Sequence, residues 1–415
     1  MLILGIETSC DETALALIGT RPASTAAAGS VSALDCRVIA SLVHSQAALH
    51  SAYGGVYPSL AKREHGKNLI PLLHKLLTQA DGAFEKAGTI SETDMAAHLA
   101  RFKSEIAPQN PELYESLAGA SFLRTIPKID RIAVTEGPGL EPALWVGLTF
   151  ARILSEIWNI PVVPVNHMEG HVVGSMIPSD APNGAWQTLF NIPMPAVAFL
   201  ISGGHTELLQ VDTIGSYRLL GETQDDAVGE AFDKTARLLG FPYPGGPHVS
   251  MAAAAAREAG IQSPVELPRP MIRSGDLNFS FSGLKTAVLY ATRKAVTDET
   301  GALPDAWKKG LAREFEDAIT ETLVSKLRGA LDQVGAGSSP AGAIIMGGGV
   351  VANHVLREAF KKVAAEYDIP LFLPTGYISG DNALMIAVAG ALKNAPVVTG
   401  TGAALRAHGT KRLSE

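Results

Sequence analysis

The chain has 415 residues, 47% hydrophobic and 18% charged, too long for one compact core and suited to two lobes with a large apolar interior. A net charge of −7 argues against a broad nucleic-acid-binding face, and the basic clusters Lys62, Arg63, Lys67 and Lys308, Lys309, Arg313 read as solvated helix faces. Two cysteines, Cys10 and Cys36, exclude a disulfide scaffold; with no basic leader and no apolar run of bilayer length, a cytoplasmic protein without membrane attachment is expected.

Residues 2–18 read as an apolar strand, the polar turn Glu7-Thr8-Ser9-Cys10-Asp11-Glu12-Thr13, and a returning strand. Residues 68–79 have helical periodicity, and 129–136 form a strand that ends in Gly137-Pro138-Gly139. A helix over 145–158 and a strand over 160–165 follow, a βαβ rhythm that calls for a parallel or mixed sheet. Residues 196–211 repeat the opening pattern: strand, Ser202-Gly203-Gly204-His205-Thr206, strand. Two such hairpins half a chain apart predict a duplicated lobe with one hairpin on each side of a cleft. Helices over 230–239, 306–334, 350–366 and 382–393 and a buried strand over 343–346 complete the second half. Residues 81–124 and 178–195 are polar, weakly periodic or rich in Pro and Gly, and are expected to be surface insertions outside the core.

Asn166-His167-Met168-Glu169-Gly170-His171 puts two imidazoles four residues apart, on one face of a helix and close enough to share an ion. A zinc peptidase needs the glutamate directly after the first histidine; here Glu169 points away from the pair, so proteolysis loses its main argument. A third ligand is needed, and the best candidate is Asp381 in Ser379-Gly380-Asp381-Asn382, at the start of a helix. Two imidazoles and a carboxylate suit iron, zinc or manganese. The turn at 202–206 offers backbone N–H groups for a phosphate or carboxylate, and Gly347-Gly348-Gly349 lies between strand and helix like a nucleotide loop. Asp233, on a helix, and Gly246 are placed to meet a ribose. Cys10 reads as a small packed residue near the first hairpin and not as a nucleophile.

These motifs, with Gly54-Gly55-Val56-Tyr57-Pro58, Gly229-Glu230-Ala231-Phe232-Asp233-Lys234 and Phe279-Ser280-Phe281-Ser282-Gly283-Leu284-Lys285, occur in one order along nearly the whole chain. In that order the chain resembles the tRNA N6-adenosine threonylcarbamoyltransferases of the TsaD type, once labelled O-sialoglycoprotein endopeptidases. The resemblance implies an α/β actin/hexokinase/Hsp70-like fold of two ribonuclease-H-like lobes, over residues 1–165 and 166–415, the C-terminal helices partly returning to the first lobe. It implies transfer of the threonylcarbamoyl group of threonylcarbamoyl-AMP to N6 of adenosine 37, beside the anticodon of tRNAs reading codons that begin with A, releasing AMP. It carries over His167, His171 and Asp381 as ligands of Fe(2+) or Zn(2+), and Ile201, Ser202, Gly203, Gly204, His205, Asp233, Gly246 and Asn353 as the adenylate site. Glu12, Lys62 or His65 is the expected proton acceptor, and the companions are a TsaB-like paralogue, a TsaE-like ATPase and a TsaC-like adenylate synthase. A small-molecule kinase shares the fold but does not need the histidine pair with Asp381, and the family's non-catalytic companion lacks these ligands.

Overall fold

In this computed structural model the described residues are 1–23, 34–178, 184–295, 303–337, 339–374, 376–393 and 405–414. The first half runs β1 (Leu2–Glu7), β2 (Glu12–Pro22), β3 (Leu34–Ser45), α1 (Ala47–Ser51) and α2 (Pro58–Gln79). A ribbon of β4 (Lys86–Thr89) and β5 (Thr125–Pro127) encloses α3 (Glu92–Glu105) and α4 (Pro111–Ala118). Then come β6 (Arg131–Gly137), α5 (Glu141–Trp158), β7 (Val162–Asn166), α6 (His167–Gly174) and β8 (Gln187–Thr188). The second half runs β9 (Ala196–Ile201), β10 (Thr206–Thr213), β11 (Ser216–Glu222), α7 (Val228–Leu239), α8 (Gly245–Glu258), α9 (Ser282–Ala295) and α10 (Asp305–Gly335). It closes with β12 (Ala343–Gly347), α11 (His354–Glu366), β13 (Leu371–Phe372) and α12 (Ala383–Leu392).

One sheet has the order β7-β6-β1-β2-β3-β8 and the other β11-β10-β9-β12-β13. Both carry three antiparallel strands followed by two that run parallel to the first, β6 beside β1 and β12 beside β9. Two copies of this ribonuclease-H-like order make the α/β actin/hexokinase/Hsp70-type architecture, and the repeated hairpins are its opening strands.

Strand alternation sends the side chains of each sheet into two different cores. Leu4, Ile6, Leu15 and Leu17 face α2 to α5, whereas Ile3, Ala14, Ala16 and Ile18 face α6 and α12. Val197, Phe199 and Ile201 face α7 to α11, whereas Ala196, Ala198 and Leu200 face the same α6 and α12. Helix α12 is therefore apolar on every side and buried from Ala383 to Gly390, as expected of a helix held between two sheets. It sits deep because its neighbours are small: a Cβ on Gly5 would collide with the Ala383 carbonyl, and one on Gly170 would lie 2.9 Å from Ile386 Cδ1. Each fully buried Leu or Ile in this layer contributes roughly 1.5–3 kcal/mol.

Three expectations are corrected. Residues 81–124 are not outside the core: Met95, Phe102, Leu113 and Leu117 are buried in the cluster that covers the first sheet. The 95, 99, 102, 106 spacing of Met, Leu, Phe and Ile was the signal, masked by the polar outer face of α3. Of residues 178–195, 179–183 lie outside the described residues, but Leu189 and Ile192 are buried between the sheets and β8 pairs with β3. The 350–366 helix instead begins with a short 3-10 turn, Gly349–Ala352, before Asn353 caps α11.

Candidate metal centre and adjoining cleft

Helix α6 starts where Asn166 turns its side chain back to accept from the Met168 and Glu169 amides. That cap leaves His167 on the first turn and His171 one turn later, with ring centroids 4.7 Å apart and nearly perpendicular. Asp381 comes from the turn before α12, a turn held by Asn382, which caps Met385 and donates to the Ile378 and Gly380 carbonyls. Its carboxylate Oδ1 lies 3.4 Å from His167 Nε2 and 3.2 Å from His171 Nε2.

These atoms fit a metal better than they fit one another. Ligands bonded at about 2.1 Å and subtending 90–110° sit roughly 3.0–3.4 Å apart. His171 Nε2 is buried and, despite its closeness to Asp381, has no partner in hydrogen-bonding geometry among the described residues. Burial holds His171 below the usual imidazole value, so its ring is neutral, as a ligand must be. Burial alone would raise the Asp381 carboxyl, but attraction to His167 and contacts with both imidazoles bring it well below the carboxylate range. Glu169 is on the far side of α6, accepting from Tyr217 Oη at 3.2 Å and paired with Lys393 Nζ at 3.2 Å, and takes no part.

Behind the trio stands Glu7, at the end of β1, a residue to which the motif reading gave no role. It is fully buried, and its carboxylate accepts from Thr135 Oγ1 at 2.6 Å, from the Ser9 amide and from His167 Nδ1 at 3.0 Å. The local sequence around Glu7 held no signal for the His167 contact, because 160 residues separate the two.

The three expected proton acceptors fare differently. His65 is buried with both ring nitrogens engaged, Nε2 by the Cys10 carbonyl at 3.0 Å and Nδ1 by Thr13 Oγ1 at 2.7 Å, and burial lowers it to about 4. It braces the first hairpin turn, with both nitrogens already engaged within the protein. Glu12 is driven up to about 9 by burial, then by Asp11 and Asp381, so at neutral pH it carries its proton, and its Oε1 accepts from Ser45 Oγ at 3.1 Å. Lys62 lines a hollow of about 370 Å³ with Gln109, Glu141, Pro142 and Trp145, between α2 and α5. Cys10 is held firmly as a thiol, by burial and then by Asp11 and Asp381.

Across the cleft, the Ser202–His205 turn is closed by its own bonds: the Ser202 amide donates to the His205 carbonyl, and the His205 amide to Ser202 Oγ. Gly203 and Gly204 are exposed, and a Cβ on either would meet nothing within 4 Å. Burial, then His167 and His171, lowers His205 to about 4, so its imidazole is neutral. Asp233 Oδ1 accepts from the Gly245 amide at 2.7 Å, which brings Asp233 and Gly246 together at the start of α8.

The model of the family described as TsaD, tRNA N6-adenosine threonylcarbamoyltransferase, matches residues 37–94 and 116–388. A relative of that name from Burkholderia ambifaria (strain MC40-6) is 40% identical over 395 residues, 95% of this chain and 92% of its own length. Another from Burkholderia vietnamiensis (strain G4 / LMG 22486) is 41% identical over 395 residues, with the same coverage. The chain belongs to the tRNA N6-adenosine threonylcarbamoyltransferase family. The family acts on tRNA and is metal-dependent, and His167, His171 and Asp381 form a cluster whose ligand atoms could hold a metal ion.

Among the adenylate positions carried over from this family, one side chain is turned inward. Ile201 is fully buried and faces the core of the second lobe, so it offers a ligand no surface. Gly347 and Gly348 do not make room for a base: a Cβ on Gly347 would lie 3.0 Å from the His171 carbonyl, and one on Gly348 would collide with that of Ile201. The glycines admit the protein's own backbone. Asn353 caps α11 through its oxygen and donates from Nδ2 to Ser250 Oγ at 2.9 Å and Glu316 Oε1 at 2.7 Å. Among the described residues no helix is long and apolar enough to cross a membrane.

Proposed function

We propose that this chain, a family acyltransferase, passes the threonylcarbamoyl group of threonylcarbamoyl-AMP to N6 of adenosine 37 in tRNAs reading codons that begin with A. The observation that carries this reading, with the family match, is the convergence of Asp381 on two imidazoles, one of them with a buried, unpartnered nitrogen. The N6–C bond forms, the bond from the carbamoyl carbon to the phosphate oxygen breaks, and AMP leaves, its phosphate taking up the proton that the amine gives up.

A divalent ion held by His167, His171 and Asp381, Fe(2+) first and Zn(2+) second, would supply Lewis-acid stabilisation of charge developing on the phosphate or carbamoyl oxygen. The open turn Gly203-Gly204 takes the phosphate on backbone N–H groups, and neutral His205 orients the group beside it. Asp233 and Gly246 hold the ribose. Glu12, protonated, donates a hydrogen bond to the substrate, and Lys62 acts at the tRNA side. The lobes divide near residue 165, and the protein works in the cytoplasm with a TsaB-like paralogue, a TsaE-like ATPase and a TsaC-like adenylate synthase.

The test is to mix the metal-loaded protein and its companions with threonylcarbamoyl-AMP and unmodified tRNA, and to digest the tRNA for mass spectrometry. The modified nucleoside and AMP should appear in equal amounts. Folded, loaded protein that yields neither sinks the proposal.

A further inference from the structure

We infer that Glu7 is a positioning residue for the metal centre: its carboxylate accepts a hydrogen bond from His167 Nδ1–H and so aims Nε2 at Asp381. This rests on the metal reading above.

An imidazole that binds a metal through Nε2 has given up the proton there and keeps one proton, on Nδ1. Two groups reach His167 Nδ1, Glu7 Oε2 at 3.0 Å and Ser9 Oγ at 3.2 Å. A hydroxyl either donates or accepts, so Ser9 leaves the tautomer undecided; a carboxylate only accepts, so Glu7 decides it. The other face of the ring then presents Nε2, 3.4 Å from Asp381 Oδ1. Glu7 can do this because it is itself immobile: Thr135 Oγ1 on β6 and the Ser9 amide donate to it, and it is fully buried. Among the hydrogen bonds of the described residues, none joins His171 Nδ1 to a carboxylate, so the two ligands are held unequally. A carboxylate behind a ligating imidazole also raises the basicity of the ring, and removal of such partners costs about 10–100-fold in metal affinity.

The experiment is competition of Zn(2+) between a chelator of known affinity and the full chain, for the parent, Glu7→Gln, Glu7→Ala and Thr135→Val, with thermal unfolding of each metal-free protein alongside. Affinity should fall about 10–100-fold in Glu7→Ala and by a smaller factor in Glu7→Gln, whose amide oxygen still accepts but carries no charge. Thr135→Val removes one of the donors that hold the same carboxylate while leaving the His167 contact; it should lower the melting temperature and lower Zn(2+) affinity by less than Glu7→Ala does. If Glu7→Ala does not fold, Glu7→Gln decides. Affinities of both Glu7 variants within about twofold of the parent overturn the assignment, and leave Glu7 as a brace of the turn. A parent chain that binds no Zn(2+) overturns the metal reading together with it.

Discussion

The two hairpin turns occupy the same place in the two sheets and do opposite work. The β1–β2 turn is closed and charged: Glu7, Thr8, Ser9 and Asp11 are all buried there, and Thr8 Oγ1 donates to the Ala143 carbonyl. The β9–β10 turn is open and uncharged, with Gly203 and Gly204 exposed. In each lobe a glycine just past the fourth strand of the repeat lies against the turn, Gly139 against the Ser9 carbonyl and Gly348 against that of Ile201. So duplicated topology keeps the packing of the turn, while composition divides the chemistry. One lobe braces a metal ligand with a carboxylate, and the other leaves backbone free for an anion. A buried carboxylate persists only where donors surround it, which is why the first turn had to close.

The largest expected effect breaks the charged side. His171→Ala should remove stoichiometric metal and reduce transfer by at least about 100-fold, read by elemental analysis and by the nucleoside assay; full metal retention would remove His171 from the ligand set. Next come the glycines of the open side. Gly348→Ala puts a Cβ at φ 91° against the Ile201 carbonyl and should cost about 3 kcal/mol or more in chemical unfolding, whereas Gly203→Ala, with nothing within 4 Å, should cost below about 1 kcal/mol. Equal losses would mean that the turn does not pack as described.

A smaller effect sits at the second hairpin, where Glu207 of β10 faces Glu222 of β11. Burial first, and Glu222 second, raise Glu207 to about 7. The folded chain therefore holds this proton where the unfolded chain has lost it, so the contribution is intact below about 4.5 and is lost as pH rises through about 7. Relative to Glu207→Gln, the parent should lose on the order of 2 kcal/mol between pH 5 and 8, seen as diverging melting temperatures. Parallel curves would show that Glu207 titrates normally. The smallest effect is Arg412→Ala: its ion pair with Glu222 is about half exposed on the arginine side, and the loss should stay below about 1 kcal/mol.

Much of this was legible locally. Strand-turn-strand grammar revealed both hairpins, and the four-residue spacing revealed the histidine pair and the irrelevance of Glu169, because period and turn chemistry act within a few residues. Other features depended on partners distant in sequence. Residues 95–117 read as an insertion until α2 and α5 covered their apolar face. His65 looked free to move a proton until burial occupied both its nitrogens, and Ile201 looked like part of a binding turn until its side chain was seen in the core.

The amino-acid sequence by itself determined most of the elements and the doubled hairpin, and it put forward the three candidate ligands, since each is written in periodicity or in a motif. Tertiary structure alone decided that Asp381 meets the histidines, because α12 must first slide between two sheets over Gly5 and Gly170, and that Glu7 stands behind His167. Burial settles proton positions, and burial belongs to the assembled fold.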